Sequence, residues 1–257
     1  MSKRILLAGE SWASTAIHTK GFDQFTSATF HSGADGFIAA LRHATPQGFD
    51  IVHMPVHIAQ SEFPASIEAL QAWDAVLLSD IGANTLLLHP EVWLHSRTFP
   101  NRLKLLRDYV GAGGGLGMIG GYLSFQGING AARFRGTAIE EVLPVHIHPY
   151  DDRIEVPEGF RPVVSATATD HPLLAGVPAE WPVLLGINEV VAKAEATVLA
   201  HAPEAEGAHP LLITGHYGRG RSLAWTTDIG PHWLPQAALD WPGFARLWSN
   251  LLTWLCG

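Results

Sequence analysis

Residues 113–127 read GGGLGMIGGYLSFQG. The apolar run inside this stretch has the length of a buried strand, and the glycines on both sides favour tight turns. Tyr122 is the large polar residue at the second turn. This order is typical of a nucleophile elbow, a strand-to-helix turn that lifts one side chain above the edge of an α/β sheet. The stretch therefore predicts an α/β protein that presents Tyr122 at that edge.

The chain on the amino-terminal side of this stretch alternates between strands and helices. Apolar strands are predicted at 3–8, 50–54 and 75–79, and helices at 34–44, 63–73 and 102–111. Because the strands are apolar throughout rather than alternating, we expect a parallel sheet covered on both faces. Two segments without a clear pattern, 9–33 and 81–100, are predicted to be loops.

The carboxyl-terminal half has a different pattern. Residues 144–162 are rich in proline and strand-like, and shorter strands are predicted at 163–166, 189–192, 196–201, 210–215 and 221–227. The chain then closes with a helix at 242–255, whose inward face would carry Phe244, Leu247, Trp248, Leu251 and Leu252. The sequence contains no clean linker, so residues 1–257 are predicted to form one domain.

The composition excludes several classes of protein. Apolar residues make up 47% of the 257 positions and charged residues 16%, which indicates a globular chain rather than a disordered one. The net charge of −8 and the absence of a Lys/Arg cluster argue against nucleic acid as a partner. No apolar run has transmembrane length, so no membrane partner is expected. Cys256 is the only cysteine, which excludes disulfides and predicts a cytoplasmic protein.

The candidate site residues follow the predicted strands, because ligands of parallel α/β sheets bind at the carboxyl ends of the strands. A carboxylate, a phenol and an imidazole could converge there for acid/base chemistry. The predicted catalytic residues are Glu10, Asp80, Tyr122, Asp228 and His232. The predicted substrate-binding residues are Ser11, Trp12, His18, Ser124, Gln126 and Arg133, with His18 on a loop that could close over the pocket.

Structural roles for these residues remain open alternatives. Asp80 could cap a helix, Tyr122 could pack as an aromatic lid, and His18 could lie on an ordinary solvated loop. Arg133 could bind an anionic substrate or pair with Glu140 and Glu141. The sequence shows no short metal-ligand spacing such as His-x-x-x-His, so neither a metal nor another cofactor is predicted, although carboxylates and histidine could hold a divalent ion.

The segment at 120–126 resembles the Gly-x-Cys-x-Gly-x-Gln elbow of class I glutamine amidotransferases, with Tyr122 at the cysteine position. The resemblance covers nearly the whole chain. Within that superfamily, the chain is similar to a bacterial branch near the trehalose-utilisation ThuA proteins. The segments 170–178 and 217–225 carry the resemblance to the superfamily together with the elbow, and 9–12, 79–84 and 228–233 resemble signatures of the branch.

The resemblance implies a flavodoxin-like three-layer sandwich with a mostly parallel central sheet and extra strands in the carboxyl-terminal half. It also implies that the protein forms a homo-oligomer. It does not extend to glutaminase activity, because the cysteine and the His-x-Glu element of the family are absent: Trp233 and Leu234 follow His232. Two functions remain. The protein could be an enzyme acting on a small polar, plausibly sugar-derived metabolite, or an inactive relative that serves as a small-ligand sensor or an assembly subunit. An amidotransferase that uses another nucleophile is disfavoured.

Overall fold

The computed structural model describes residues 2–42 and 48–257. The strands are β1 (Lys3–Gly9), β2 (Ser11–Lys20), β3 (Asp23–Ser32), β4 (Phe49–Met54), β5 (Ala75–Ser79), β6 (Gly115–Ile119), β7 (Val145–Ile147), β8 (Arg153–Phe160), β9 (Val163–Val164), β10 (Leu184–Asn188), β11 (Val190–Ala192), β12 (Thr197–His201), β13 (Pro210–Tyr217) and β14 (Gly220–Trp225). The helices are α1 (Ala34–Leu41), α2 (Val56–Glu62), α3 (Ile67–Leu70), α4 (Ala83–Leu87), α5 (Pro90–Trp93), α6 (Arg102–Gly111), α7 (Ala138–Val142), α8 (Gln236–Leu239) and α9 (Pro242–Leu255).

An eight-stranded sheet in the order β4-β1-β5-β6-β14-β13-β12-β9 forms the centre of the fold. The first five strands are parallel, and β13, β12 and β9 add antiparallel strands at one edge. Counted along the chain, the parallel strands follow the order 2-1-3-4-5, which is the flavodoxin-like order. The predicted fold class is therefore confirmed.

Two hydrophobic cores lie on opposite faces of this sheet. Alternate residues of β1 point to opposite sides, so Ile5 and Leu7 belong to one core and Leu6 and Ala8 to the other. Helices α1 and α9 cover the first core, and α2, α3, α4, α6 and α7 cover the second. The five inward positions predicted for α9 are all buried. No helix in the described part of the chain is both long and apolar enough to cross a membrane.

Most predicted elements are present, but several differ in detail. Strand β5 and helix α6 have the predicted ends, and the strands predicted in the carboxyl-terminal half are all present with shifted ends. The helix predicted at 63–73 is wrong: α2 ends before Phe63, which precedes a proline and takes an extended conformation, and only α3 follows. The loop predicted at 81–100 contains α4 and α5. The end of the helix predicted at 34–44 lies outside the described residues.

The prediction of a long loop at 9–33 is also wrong. Strands β2 and β3 form a hairpin of ten register pairs, from Ser11 opposite Ser32 to Lys20 opposite Asp23. Small polar residues and β-branched residues such as Thr15, Ile17 and Thr29 are frequent in it, and the sequence analysis assigned this composition to a loop. The pairing shows that their β-propensity prevails. We call residues 11–32 the arm.

The turn after β6 is not a strand-to-helix elbow. The strand ends at Ile119 as expected, but the next helical segment is the short 3₁₀ turn Ile128–Gly130. The positive-φ positions between β6 and Ile128 are Gly121 (φ 139°), Phe125 (φ 52°) and Gly127 (φ 69°) rather than Tyr122. Tyr122 thus lies on an irregular loop, whose shape depends on contacts with other parts of the chain.

Candidate active site

Glu10 and Asp80 lie at the switch point of the sheet. There the connections that leave two neighbouring strands run over opposite faces of the sheet. Glu10 directly follows β1 and Asp80 directly follows β5, and these two strands are neighbours. Both residues have a φ of 45°, a left-handed conformation that costs about 1–3 kcal/mol for a side chain other than glycine. Ligands of this fold class bind at the carboxyl edge beside this switch point. The strain therefore lies where function is expected.

Glu10 and Asp228 are buried carboxyl groups with internal hydrogen-bond donors. The Ser79 hydroxyl donates to Glu10 Oε2 at 2.5 Å, and Glu10 is 3% exposed. The backbone N–H groups of Ile229 and Gly230 donate to Asp228 Oδ1 at 2.8 and 3.2 Å. These donors fix both carboxyl groups in place without supplying a full positive charge.

The electrostatics of the cluster favour proton retention. Burial raises the pKa of Glu10 well above its ordinary value, and the charge of Asp228 raises it further. Burial, followed by the charge of Asp80, likewise raises the pKa of Asp228. The pKa of Asp80 is also raised, mainly by burial. Three neighbouring carboxyl groups cannot all ionise at low cost in such a site, so the cluster holds protons at a pH where exposed carboxyl groups have lost theirs.

His232 lies between two carboxylates. Its Nδ1 is 3.6 Å from Asp228 Oδ2 and its Nε2 is 3.7 Å from Glu155 Oε2, and both distances exceed hydrogen-bond length. Its φ of 135° makes it a third strained residue in the cluster. Burial lowers the pKa of His232, so the neutral imidazole dominates at neutral pH.

Tyr122 packs against this histidine. The two rings meet edge to face with centroids 4.1 Å apart, and the guanidinium of Arg153 lies 4.6 Å from the centroid of the Tyr122 ring. About a third of the Tyr122 side chain is exposed (36%), so a ligand can reach the phenol.

Three polar side chains hold the loop that carries Tyr122. Asp80 Oδ1 accepts from Leu123 N–H, and Asn188 both accepts from Gly121 N–H and donates to Gly121 C=O. Asp152 accepts from the N–H groups of Gln126 and Gly127 and from the Asn188 side chain. The loop is therefore ordered by side chains from other elements, as an irregular buried backbone requires.

An open cavity of about 750 Å³ adjoins the carboxyl cluster. It is lined by Ser11, Trp12, Ala13, Phe30, Val56, His57, Gln60, Asp80, Thr85 and Leu123. Its wall is largely apolar, and Asp80 connects it to the buried carboxyl groups. We call it the Asp80 cavity. Across residues 2–42 and 48–257, no group of three or more His, Cys, Asp or Glu side chains is arranged to hold a metal ion.

The structure brings the five predicted catalytic residues together, but it separates the predicted substrate-binding residues. Ser11 and Trp12 line the Asp80 cavity. Gln126 and Arg133 line a different cavity of about 390 Å³, in which Arg135 also lies. Neither glutamate proposed as a partner for Arg133 pairs with it: Glu140 accepts backbone N–H groups and Glu141 pairs with Arg107.

Ser124 and His18 lie away from the Asp80 cavity. Ser124 is buried, and its hydroxyl accepts from Asp80 N–H, so it supports the strained backbone of Asp80. His18 is exposed on the arm, where it contacts the Ser27 hydroxyl and stacks on Phe25. It lies seven residues beyond Ser11 along β2, about 23 Å at the rise of a strand. His18 therefore does not lie over the cavity of its own chain.

The sequence analysis missed four polar residues that complete this region: Asp152, Arg153, Glu155 and Asn188. Glu155 faces His232 and accepts from the Trp233 indole N–H at 2.9 Å. A signal was present, because residues 151–155 read DDRIE in a chain that is only 16% charged. Asn188 had no such signal, since an asparagine at the end of a strand ordinarily indicates a turn.

The only cysteine lies far from this cluster. Cys256 follows α9, and its carbonyl accepts from the Lys3 ammonium at the amino-terminal end of β1, on the opposite edge of the sheet. Burial raises the pKa of its thiol to about 12, so the thiol stays protonated. A nucleophilic thiolate is absent from the cluster because the chain has no other cysteine.

Comparison with known proteins identifies the family. Residues 4–257 match the family described as "Putative glutamine amidotransferase". The chain belongs to this family. Two solved structures of cytoplasmic proteins from Salmonella typhimurium are 40% and 42% identical to the chain, with TM-scores of 0.90 and 0.89. The matches cover 98% of this chain and 98% and 99% of theirs.

More distant structures share only the fold. A ThuA-like protein from Parabacteroides merdae is 11% identical, with a TM-score of 0.57, and the match covers 100% of this chain and 90% of that one. No functionally curated protein is significantly similar to the chain. The family match confirms the amidotransferase-like superfamily expected from the sequence.

Gly230 leaves room for the Glu10 carboxyl group, and we expect Gly230→Ala to destabilise the protein by about 1–3 kcal/mol. A Cβ at Gly230 would lie 2.6 Å from Glu10 Oε1 and 3.1 Å from Gly33 O. Gly82→Ala is the matched control, because its Cβ would meet Ala132 only at 3.6 Å. Urea unfolding of both variants measures the difference. Equal stability of the two variants would show that the carboxyl group is free to move.

Proposed function

We propose that the protein is an enzyme that acts on a small polar, sugar-derived metabolite by acid/base chemistry and has no glutaminase activity. One observation carries the proposal. Glu10, Asp80, Asp228 and His232 meet at the carboxyl edge of the sheet, although burial opposes the charged form of each. Shifted pKa values and strained backbone in one cluster are typical of a functional site.

The two kinds of pKa shift suggest separate roles. His232 is a neutral imidazole at neutral pH and is partly exposed, so it suits a general base. Asp80, which lines the cavity, belongs to a cluster that retains protons and therefore suits a general acid. Tyr122 would contact the substrate and orient the imidazole through their packed rings. Asp228 would orient the imidazole from its Nδ1 side.

The cavity wall supports the substrate class. Trp12 and Phe30 offer apolar faces, whereas Ser11 and Asp80 offer polar atoms. A sugar-like molecule carries both hydroxyl groups and apolar C–H faces, so it matches this wall. The acidic cluster opposes a substrate with several negative charges. The Salmonella relatives are described as cytoplasmic, which supports the same location for this protein.

The absence of a suitable thiol supports the lack of glutaminase activity. Glutamine hydrolysis in the amidotransferase superfamily requires a thiolate, and the only thiol of this chain is protonated at the opposite edge of the sheet. We therefore expect no ammonia release from glutamine and no effect of Cys256→Ser on activity toward the true substrate. Ammonia release that Cys256→Ser abolishes would contradict the proposal.

A two-stage experiment tests the enzyme proposal. Thermal-shift screening against sugars, sugar acids and amino acids identifies ligands, since a compound that binds only the native state raises Tm. Turnover of the hits is then compared between wild type, His232→Gln and Tyr122→Phe. We expect His232→Gln to lower kcat/KM about 10²–10⁴-fold, as for loss of a general base. His95→Gln, an exposed histidine outside the site, is the control. Full activity in both site variants would overturn the proposal.

The alternative function, an assembly subunit, is favoured by one observation, the exposed arm. It predicts that ligands leave Tm unchanged. The open Asp80 cavity favours the enzyme, because it gives a ligand access to the carboxyl cluster.

A further inference from the structure

The arm leaves the body of the protein as an isolated two-stranded hairpin. Nearly all of its residues from Trp12 to Thr29 are exposed, and its strands pair chiefly with each other. Ten residues per strand give a length of about 33 Å. A two-stranded hairpin alone in water is marginally stable at best. The arm therefore needs a surface to pack against.

The composition of the arm supports the same conclusion. Its only Lys, Arg, Asp or Glu residues are Lys20 and Asp23, which lie opposite each other at the tip. Exposed apolar side chains, Ile17, Phe25 and Phe30 among them, occur along its length. Edge strands that remain in solvent usually carry charges, proline or bulges that block pairing. The arm contains no proline, and its register is regular from end to end.

The two ends of the arm are complementary to each other. Phe22 at the tip is fully exposed. The Asp80 cavity lies at the base, where Trp12, Ala13 and Phe30 form part of its apolar wall together with Val56 and Leu123 of the body. Within one chain, tip and base are separated by the length of the arm, so Phe22 cannot enter the cavity of its own chain.

We propose that two copies of this chain pair through their arms about a two-fold axis, so that Phe22 of each copy enters the Asp80 cavity of the other. A two-fold axis forms the same contact twice, so that each cavity receives the tip of the other copy. The arm is neutral overall, so two chains with a net charge of −8 can approach each other along it without local repulsion. The cavity is large enough for a phenyl ring at its apolar end and a ligand at Asp80.

This interface would complete the candidate site. The aromatic tip of one copy would close the apolar side of the Asp80 cavity in the other and exclude water from it. The effect on catalysis rests on the proposed function, whereas the interface does not. The tests therefore measure mass and cross-linking, so that a failure of the interface and a failure of the enzyme proposal are distinguishable.

The first test is the mass in solution. Sedimentation velocity at micromolar concentration is expected to give twice the chain mass of 27.8 kDa for the wild type. Phe22→Asp and Ile17→Asp are expected to shift the protein to monomer, because each places a charge in the contact. Leu94→Asp, which adds the same charge at an exposed site outside the arm, is expected to remain a dimer. A monomeric wild type, or a dimer that both arm variants leave intact, would overturn the proposal.

The second test locates the contact. In a Cys256→Ser background, Phe22→Cys and Ala13→Cys are combined. Cysteines at the tip and the base of one arm are too far apart for an intramolecular disulfide. Oxidation is expected to give a covalent dimer from the double variant and none from either single variant. Cross-linking of Phe22→Cys alone would show that the tips meet each other and would contradict the arrangement, as would a double variant that stays uncoupled.

Discussion

Replacement of Arg102 by alanine is expected to lower the free energy of unfolding by roughly 3–5 kcal/mol. Arg102 is fully buried at the start of α6, and its guanidinium donates to four backbone carbonyl groups. Nε donates to Leu86 O at 2.6 Å, Nη1 to Ala59 O at 3.1 Å, and Nη2 to Gln60 O and Thr85 O at 2.9 and 3.1 Å.

These carbonyl groups belong to the last turns of α2 and α4, where most helical carbonyls lack an intrahelical partner and a cation is favourable, although Ala59 O also accepts from Phe63 N–H. Burial lowers the pKa of Arg102 to about 10, so the side chain remains charged at neutral pH. Its removal would leave buried acceptors unsatisfied, at about 1–3 kcal/mol for each, and open a cavity. The link that Arg102 forms between the ends of α2 and α4 would then be lost.

Urea unfolding measures this effect. Lys104→Ala, an exposed position on the same helix, is the control and is expected to change stability by less than about 0.5 kcal/mol. Arg102→Lys should fall between the two, because one ammonium cannot reproduce the planar fork. An Arg102→Ala variant within 1 kcal/mol of wild type would show that other groups or water satisfy these carbonyls.

The second large effect is a decrease in the free energy of unfolding as pH rises. We expect Asp228→Asn to remove this decrease. Burial and the neighbouring Asp80 raise the pKa of Asp228 to about 8, from an ordinary value of about 3.9. Between these values the native protein holds a proton that the unfolded chain has released. The contribution of this group to stability is therefore full below about pH 4 and is lost as pH rises toward 8. The raised pKa of Glu10 acts in the same direction.

The asparagine variant separates this effect from packing. Its side-chain oxygen can still accept from the N–H groups of Ile229 and Gly230, but it has no proton to lose. We expect the variant to match the wild type near pH 4 and to melt at a higher temperature near pH 9. Asp170→Asn, at an exposed position, should keep the pH slope of the wild type. A wild-type Tm that stays constant or rises between pH 5 and 9 would contradict the raised pKa.

The sequence could predict those residues of the candidate site that come directly after a strand of the central sheet. Glu10 and Asp80 come directly after apolar runs, and a parallel sheet brings such positions together regardless of loop details. Glu155 and Arg153 reach the site from β8, which lies outside the central sheet, so no strand-end argument could place them. Gln126 and Arg133 failed to join the site because their loop bends away after Tyr122 and is held by Asp152.

The sequence by itself determined the parallel sheet, its two apolar faces and the carboxyl edge that carries Glu10, Asp80 and Asp228, because hydrophobic periodicity and strand order act locally and leave a pattern in the chain. Only the tertiary structure decided that residues 11–32 form an arm, that Tyr122 lies on an irregular loop, and that His232 faces Glu155. The arm pairs residues close in sequence whose composition does not mark them as strand, whereas the other two features depend on contacts between residues far apart in sequence, such as Asn188 and Gly121. Such contacts leave no local pattern, since their free energy exists only when the fold brings both partners together.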